Sequence, residues 1–168
     1  MKDIFPFHMF KFLEDYDCGY FIFSLDKGNF QDPIVKNELK YCPGVYLVYD
    51  YSTNSLGDIL YCGKAGADKK GYINKHQLPK RLLATCNLPI NYPSLNGKIK
   101  DITRDKAWVH MMRCDNISSI IVFYFYTPVV EINGELKAEP TPPMIEEKIH
   151  NIFKAEGVNR FKWSTKQV

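Results

Sequence analysis

Two tyrosines, the second followed closely by a lysine and a basic stretch, are the residues of this chain whose types and order suggest a site for a phosphate ester. Tyr46 stands in the run Cys42-Pro-Gly-Val-Tyr-Leu-Val-Tyr-Asp50, and Tyr61 in Asp58-Ile-Leu-Tyr-Cys-Gly-Lys-Ala-Gly66. Hydrolysis of a phosphodiester builds negative charge on a five-coordinate phosphorus and needs an in-line water, charge neutralisation and help for the leaving group. A phenol can hold such a water. It titrates near ~10, so it takes the water's proton only beside a cation, and Lys64 is the obvious one. Glu146 and Glu147 stand early in the last apolar-periodic segment. Tyrosines on a strand also serve as packing residues with a hydrogen-bonded tip, and glutamates at a helix start are favoured by the dipole alone.

The elements that must position these groups can be read from local pattern. Both tyrosine runs are rich in β-favouring residues, and the turn-rich stretch Tyr51 to Asp58 separates them, which predicts a β-hairpin. Side chains alternate along a strand, so the two phenols can share one face. Gln77 to Thr85 reads as a helix with Pro79 in its first turn. Ser119 to Tyr126, nearly continuous in apolar and aromatic residues, predicts a central strand. Ile132 to Glu135 predicts a turn. From Met144 to Ala155, Ile145, Ile149, Ile152 and Phe153 recur at helical spacing, and Gly157 suits the helix end. Phase favours Glu146 over Glu147, since Glu146 lies beside the inward stripe. Upstream, a short helix is expected to about Tyr16 and a strand over Gly19 to Leu25, with Lys36 to Tyr41 leading into the first arm. The fold class expected is α+β, a small central antiparallel sheet of the hairpin plus a third strand, flanked by helices.

Length, charge and cysteines bound the rest. The 168 residues, 45% apolar and 24% charged, suit a single domain over 1–168. The net charge is only +3, but it is unevenly spread. Lys64, Lys69, Lys70, Lys75, Lys80 and Arg81 face Asp68 alone within one stretch; Lys98 to Arg113 and Lys154 to Val168 are also basic. Such segments attract polyanions or are simply solvated. The cysteine count, 5, is odd and no pair has CxxC spacing, so no disulfide framework or zinc site is expected. The thiols read as reduced, mostly buried and cytosolic. No apolar run reaches the ~18 residues of a membrane span.

The ordered set of hairpin, Tyr61-Cys-Gly-Lys-Ala65, Gln77-Leu-Pro-Lys-Arg-Leu82, long apolar strand and glutamate-bearing helix resembles the GIY-YIG nuclease superfamily, from Gly44 to about Asn159. Gly44-Val45-Tyr46 is similar to the first motif and Tyr61-Cys62-Gly63 to the second. The resemblance implies catalytic roles for Tyr46, Tyr61, Lys64, Arg81 and Glu146, Arg81 offering a planar fork of donors to the non-bridging oxygens. It also implies one divalent metal (Mg²⁺, or an ion such as Mn²⁺) on Glu146 or Glu147, with Glu146 favoured by phase, and structural roles for Gly44, Gly63 and Asn159. Many relatives carry His or Tyr four residues after the arginine. Thr85 stands there in this chain, so His76, five before Arg81, is the alternative, either reaching the pocket or decorating the surface.

Residues 1–42 form an N-terminal extension and 87–115 an insertion without counterpart in the resemblance. The inserted Lys98, Lys100, Arg104, Lys106 and Arg113, with Lys69, Lys70 and Lys75 of the loop, are the expected DNA contacts. The small size resembles the Type II restriction branch, which implies a cytoplasmic, bacterial homodimer on double-stranded DNA. The aromatic run Phe5 to Leu13 would join the dimer interface or the core. The other readings are a monomeric structure-specific repair nuclease and, in a different class, an inactive DNA-binding module.

Overall fold

The computed structural model describes residues 4–26 and 39–164. Its centre is a four-stranded antiparallel sheet in the order β1-β6-β2-β3. In chain order the elements are β1 (Cys18–Ser24), β2 (Gly44–Asp50), β3 (Ile59–Ala65), α1 (Leu78–Leu83), β4 (Thr85–Cys86), β5 (Ile102–Thr103), α2 (Arg104–Asp115), β6 (Ser119–Tyr126), β7 (Val129–Ile132), β8 (Glu135–Ala138) and α3 (Pro142–Ala155). The fold class is α+β, as the sequence pattern predicts. The sheet has one strand more than the hairpin and β6, because the Gly19–Leu25 segment pairs along the far side of β6.

β6 is buried on both faces, which accounts for its unbroken apolar and aromatic run. The hairpin register sets Tyr46 opposite Gly63 and Val48 opposite Tyr61. A bulge follows Val48, so that Tyr49 faces Ile59 and Leu60 is the extra residue. The turn between the arms is organised by Asp50, whose carboxylate accepts from the Ser52 N–H at 2.8 Å and the Ser52 hydroxyl at 2.6 Å.

Alternation sends β2 and β6 side chains to two cores. Val45, Leu47, Tyr49, Phe123 and Phe125 meet Phe5, Phe7, Phe10 and Leu13, together with Ile145, Ile149 and Phe153 of α3. The aromatic N-terminal run is therefore core, with Phe5 stacked edge-on against Phe123 at 4.9 Å. Its only helical turn is a 3₁₀ turn at Lys11–Leu13, shorter than the helix to Tyr16 that composition suggests. On the other face, Tyr46, Val48, Val122 and Tyr124 meet Leu78 and Leu82 of α1 and Ala107, Trp108, Met111 and Met112 of α2. The stretch 96–113, which local pattern leaves open between helix, strand and binding-ordered segment, forms β5 and most of α2, because Trp108 and its neighbours have a core to fill.

α3 begins where Thr141 caps it, its hydroxyl accepting from the Met144 N–H at 3.3 Å, with Pro142 in the first turn. β7 and β8 form the hairpin expected around Ile132 to Glu135, with Asn133 and Gly134 both at positive φ (55° and 79°) as a type I′ turn demands. Among the cysteines only Cys62 is buried; Cys18, Cys42 and Cys86 are half-buried and Cys114 is exposed, so the expectation of mostly buried thiols holds for one of them. All five are free thiols. No helix among the described residues is long and apolar enough to cross a membrane. Lys36 and the residues beyond Ser164, including Lys166, lie outside the described residues.

Candidate active site

A cleft of about 240 Å³ opens beside β3, and five of its lining residues are Tyr61, Lys64, Arg81, Arg104 and Glu146. They come from four elements. Tyr61 and Lys64 project from β3, Arg81 from α1, Arg104 from the start of α2, and Glu146 from the second turn of α3. Trp108, Met111 and Trp163 form much of the apolar wall, and His150 lies one helical turn beyond Glu146.

The two phenols share a face, as alternation requires, with ring centroids 5.9 Å apart. Gly63 makes this possible. A Cβ there would fall 2.5 Å from the Tyr46 hydroxyl oxygen and 2.7 Å from the Tyr61 ring, closer than any real side chain could sit. Gly44 has a comparable role, since a Cβ would press against the Phe125 carbonyl and within 3.0 Å of Leu78, keeping α1 off the strand.

The phenols are not equivalent. Tyr61 is half-buried and lines the cleft. Tyr46 is fully buried beneath it, and Arg104 Nη1 donates to its hydroxyl at 2.6 Å. Burial pushes the Tyr46 phenol far above its ordinary range, and the nearby Arg104 charge offsets only part of this. Tyr46 therefore keeps its proton at working pH.

Arg104 departs most from its expected place. It was expected on a DNA-facing surface, yet it is 3% exposed. Its Nη1 also donates to the Arg81 carbonyl at 2.8 Å, and its guanidinium carbon lies 5.8 Å from the Tyr61 ring centre and 6.0 Å from that of Trp108. The backbone explains the placement. Thr85 pairs with Thr103, and the Arg104 N–H bonds the Ala84 carbonyl at 3.0 Å, so the start of α2 is laced to the end of α1. The local sequence holds no sign of this, because it depends on pairing two short strands separated by a loop.

Glu146 is the glutamate the fold brings to the cleft; Glu147 is exposed. Ile145 and Ile149 turn into the core, and this phase leaves position 146 at the cleft edge, 18% exposed by side chain. Its carboxylate pairs with the Lys64 ammonium, which is 38% exposed. Among the described residues no group of three or more His, Cys, Asp or Glu stands together as a metal site. A hard ion such as Mg²⁺ still fits the donor set, since one carboxylate, waters and substrate phosphate oxygens are a normal shell for it. Glu146 would hold it.

Other predicted residues are not brought to the cleft. His76 is exposed in the loop before α1, where its N–H is tied to the Asn74 side chain at 2.9 Å. Asn159 is exposed beyond α3. Lys69, Lys70, Lys75, Lys98, Lys100, Lys106 and Arg113 are all exposed, as phosphate contacts or solvated lysines and arginines both would be. Thr85, at the position where the resemblance leads one to expect His or Tyr, lines the cleft. The sequence pattern does not single out His150, Trp108 or Trp163 as cleft residues, though all three line it. The spacing of four between Glu146 and His150 was the one available signal.

Comparison with protein-family models, with curated proteins and with solved structures gives no match.

Proposed function

We propose that this protein is a Mg²⁺-dependent DNA endonuclease of the GIY-YIG type, a Type II restriction enzyme that cuts both strands of a short site as a cytoplasmic bacterial homodimer. The observation that carries the reading is the meeting of Tyr61, Lys64, Arg81 and Glu146 in one cleft from three separated elements. The four types match the needs of phosphodiester hydrolysis.

Each residue then has a distinct task. Tyr61 is the phenol that meets the attacking water, because Tyr46 is sealed beneath it. Lys64 pairs with Glu146 and holds its carboxylate at the cleft edge. Arg81 neutralises charge developing on the non-bridging oxygens. When bound on Glu146, Mg²⁺ adds positive charge at the phosphoryl oxygens. The exposed lysines of the loop and of the 98–113 segment meet the DNA backbone.

The test is digestion of a large unmethylated linear phage DNA with Mg²⁺ or with a chelator. Discrete Mg²⁺-dependent bands are expected, and Glu146→Gln should abolish them while leaving DNA binding intact. Binding without cleavage by the wild-type protein on every duplex, nicked or flapped substrate would leave an inactive DNA-binding module.

One observation favours the structure-specific repair alternative. The aromatic run Phe5 to Leu13, the sequence's candidate for a dimer interface, is committed to the core. A protein that stays monomeric on DNA in gel filtration, and cuts only nicked or flapped substrates, would select that reading.

A further inference from the structure

The cleft is electrostatically incomplete. Lys64, Arg81 and Arg104 line it against Glu146, three permanent cations against one carboxylate. Lys64 is paired with Glu146, but no ion pair to Arg104 exists among the described residues. The groups around the Arg104 guanidinium are neutral: the Tyr46 hydroxyl, the Arg81 carbonyl and the Cys86 thiol. A guanidinium cannot shed its proton in a protein. A charge buried this deeply is costly unless an anion accompanies it. Its five N–H donors exceed the bonds it makes to Tyr46, the Arg81 carbonyl and Cys86.

We propose that Arg104 forms the floor of a phosphoryl-anion subsite whose rim is Arg81 and Lys64, so that the cleft binds a phosphate oxyanion between two arginines, the second delivered by the inserted segment. The inference deepens the nuclease reading and rests on its cleft, but anion binding does not require cleavage. Fork-shaped guanidinium donors suit tetrahedral oxyanions. The neutral bonds to Tyr46 and Arg81 fix the direction of the fork before the anion arrives.

The test is titration of the full-length protein, by calorimetry, with inorganic phosphate in one arm and a thymidine dinucleotide in the other. Arg104→Gln keeps a donor for Tyr46 and removes the charge; Arg104→Lys keeps the charge and loses the fork. The subsite predicts at least a tenfold loss of phosphate affinity in Arg104→Gln and a smaller loss in Arg104→Lys, with both variants folded by circular dichroism. Binding of the dinucleotide but not of inorganic phosphate would place a DNA phosphodiester there; binding of both would make the site general for phosphate. Unchanged phosphate affinity in Arg104→Gln would overturn the proposal. Should that variant not fold, the wild-type Arg104 Nε–H resonance decides: it shifts on addition of phosphate or of the dinucleotide if the subsite exists, and its invariance to both sinks it. Phosphate binding that depends on Arg104, in a protein that cuts no DNA, would sustain the subsite and remove the nuclease reading.

Discussion

The two faces of the sheet each bury a tyrosine of β2, and the two hydroxyls meet opposite environments. Tyr49 points into the aromatic layer built by Phe5, Phe10 and Phe123, and its hydroxyl has no hydrogen-bond partner among the described residues. Tyr46 points the other way and receives a hydrogen bond from Arg104. Burial pushes both phenols well above their ordinary range. The same β alternation thus yields a dry face that tolerates a stranded hydroxyl and a face where the Tyr46 hydroxyl is bonded beside a cleft. Buried polarity is costly unless satisfied, so the two hydroxyls are buried at different cost.

The largest effect expected from breaking this contrast is on the dry face. Phe123→Ala should cost about 3–5 kcal/mol of stability by urea denaturation, through lost burial plus a cavity. Its cleft-side neighbours on β6 would keep their places, so phosphate affinity of the folded fraction should be spared. On the site face Arg81→Ala should do the converse. If the protein is the nuclease proposed, cleavage should fall on the order of 10²-fold or more, by analogy with oxyanion donors. Stability should move by less than about 0.5 kcal/mol, because it is the Arg81 carbonyl, not its side chain, that Arg104 uses. Normal cutting by Arg81→Ala would show that this arginine does not face the scissile phosphate.

The paired substitutions Tyr46→Phe and Tyr49→Phe test the two hydroxyls directly. Losing the bond to a buried guanidinium should destabilise Tyr46→Phe by about 1.5–3 kcal/mol. Removing an unsatisfied hydroxyl should leave Tyr49→Phe at least as stable as wild type, by up to about 1 kcal/mol. Equal effects of the same sign would erase the contrast.

The smallest effect is a pH dependence. A phenol whose folded pKa exceeds its unfolded value binds its proton more tightly when folded. Its contribution is complete below the unfolded value near ~10 and is lost as pH rises above it. Stability should therefore decline from pH ~10 upward, and Tyr49→Phe should decline less steeply than wild type. Identical profiles for the two proteins would show that Tyr49 does not titrate abnormally.

The strands were legible because their signals are local. β6 is an unbroken apolar run, the hairpin carries turn residues between its arms, and α3 repeats its apolar residues at helical spacing. That same spacing chose Glu146 over Glu147, since a helix flanked by buried Ile145 and Ile149 leaves little freedom for the residue between them. The placement of both phenols on one face followed from a period of two. These are properties of a chain and its nearest neighbours.

Arg104, His150 and the two tryptophans were not legible as site residues, because their roles arise from long-range placement. A basic residue in a basic stretch looks like a surface charge; only the pairing of β4 with β5 carries Arg104 under Tyr46. His76 shows the reverse, a suggestive residue close in sequence to Arg81 that the loop leaves in solvent. The aromatic N-terminal run could have met a partner or its own sheet with the same hydrophobic gain. The sequence by itself determined the hairpin, the central strand, the last helix, the face of the phenols and the glutamate, since periodicity and turn chemistry act within a few residues. Only the tertiary structure decided which cations share a cleft, because burial and charge pairing depend on segments that the chain brings together from far apart.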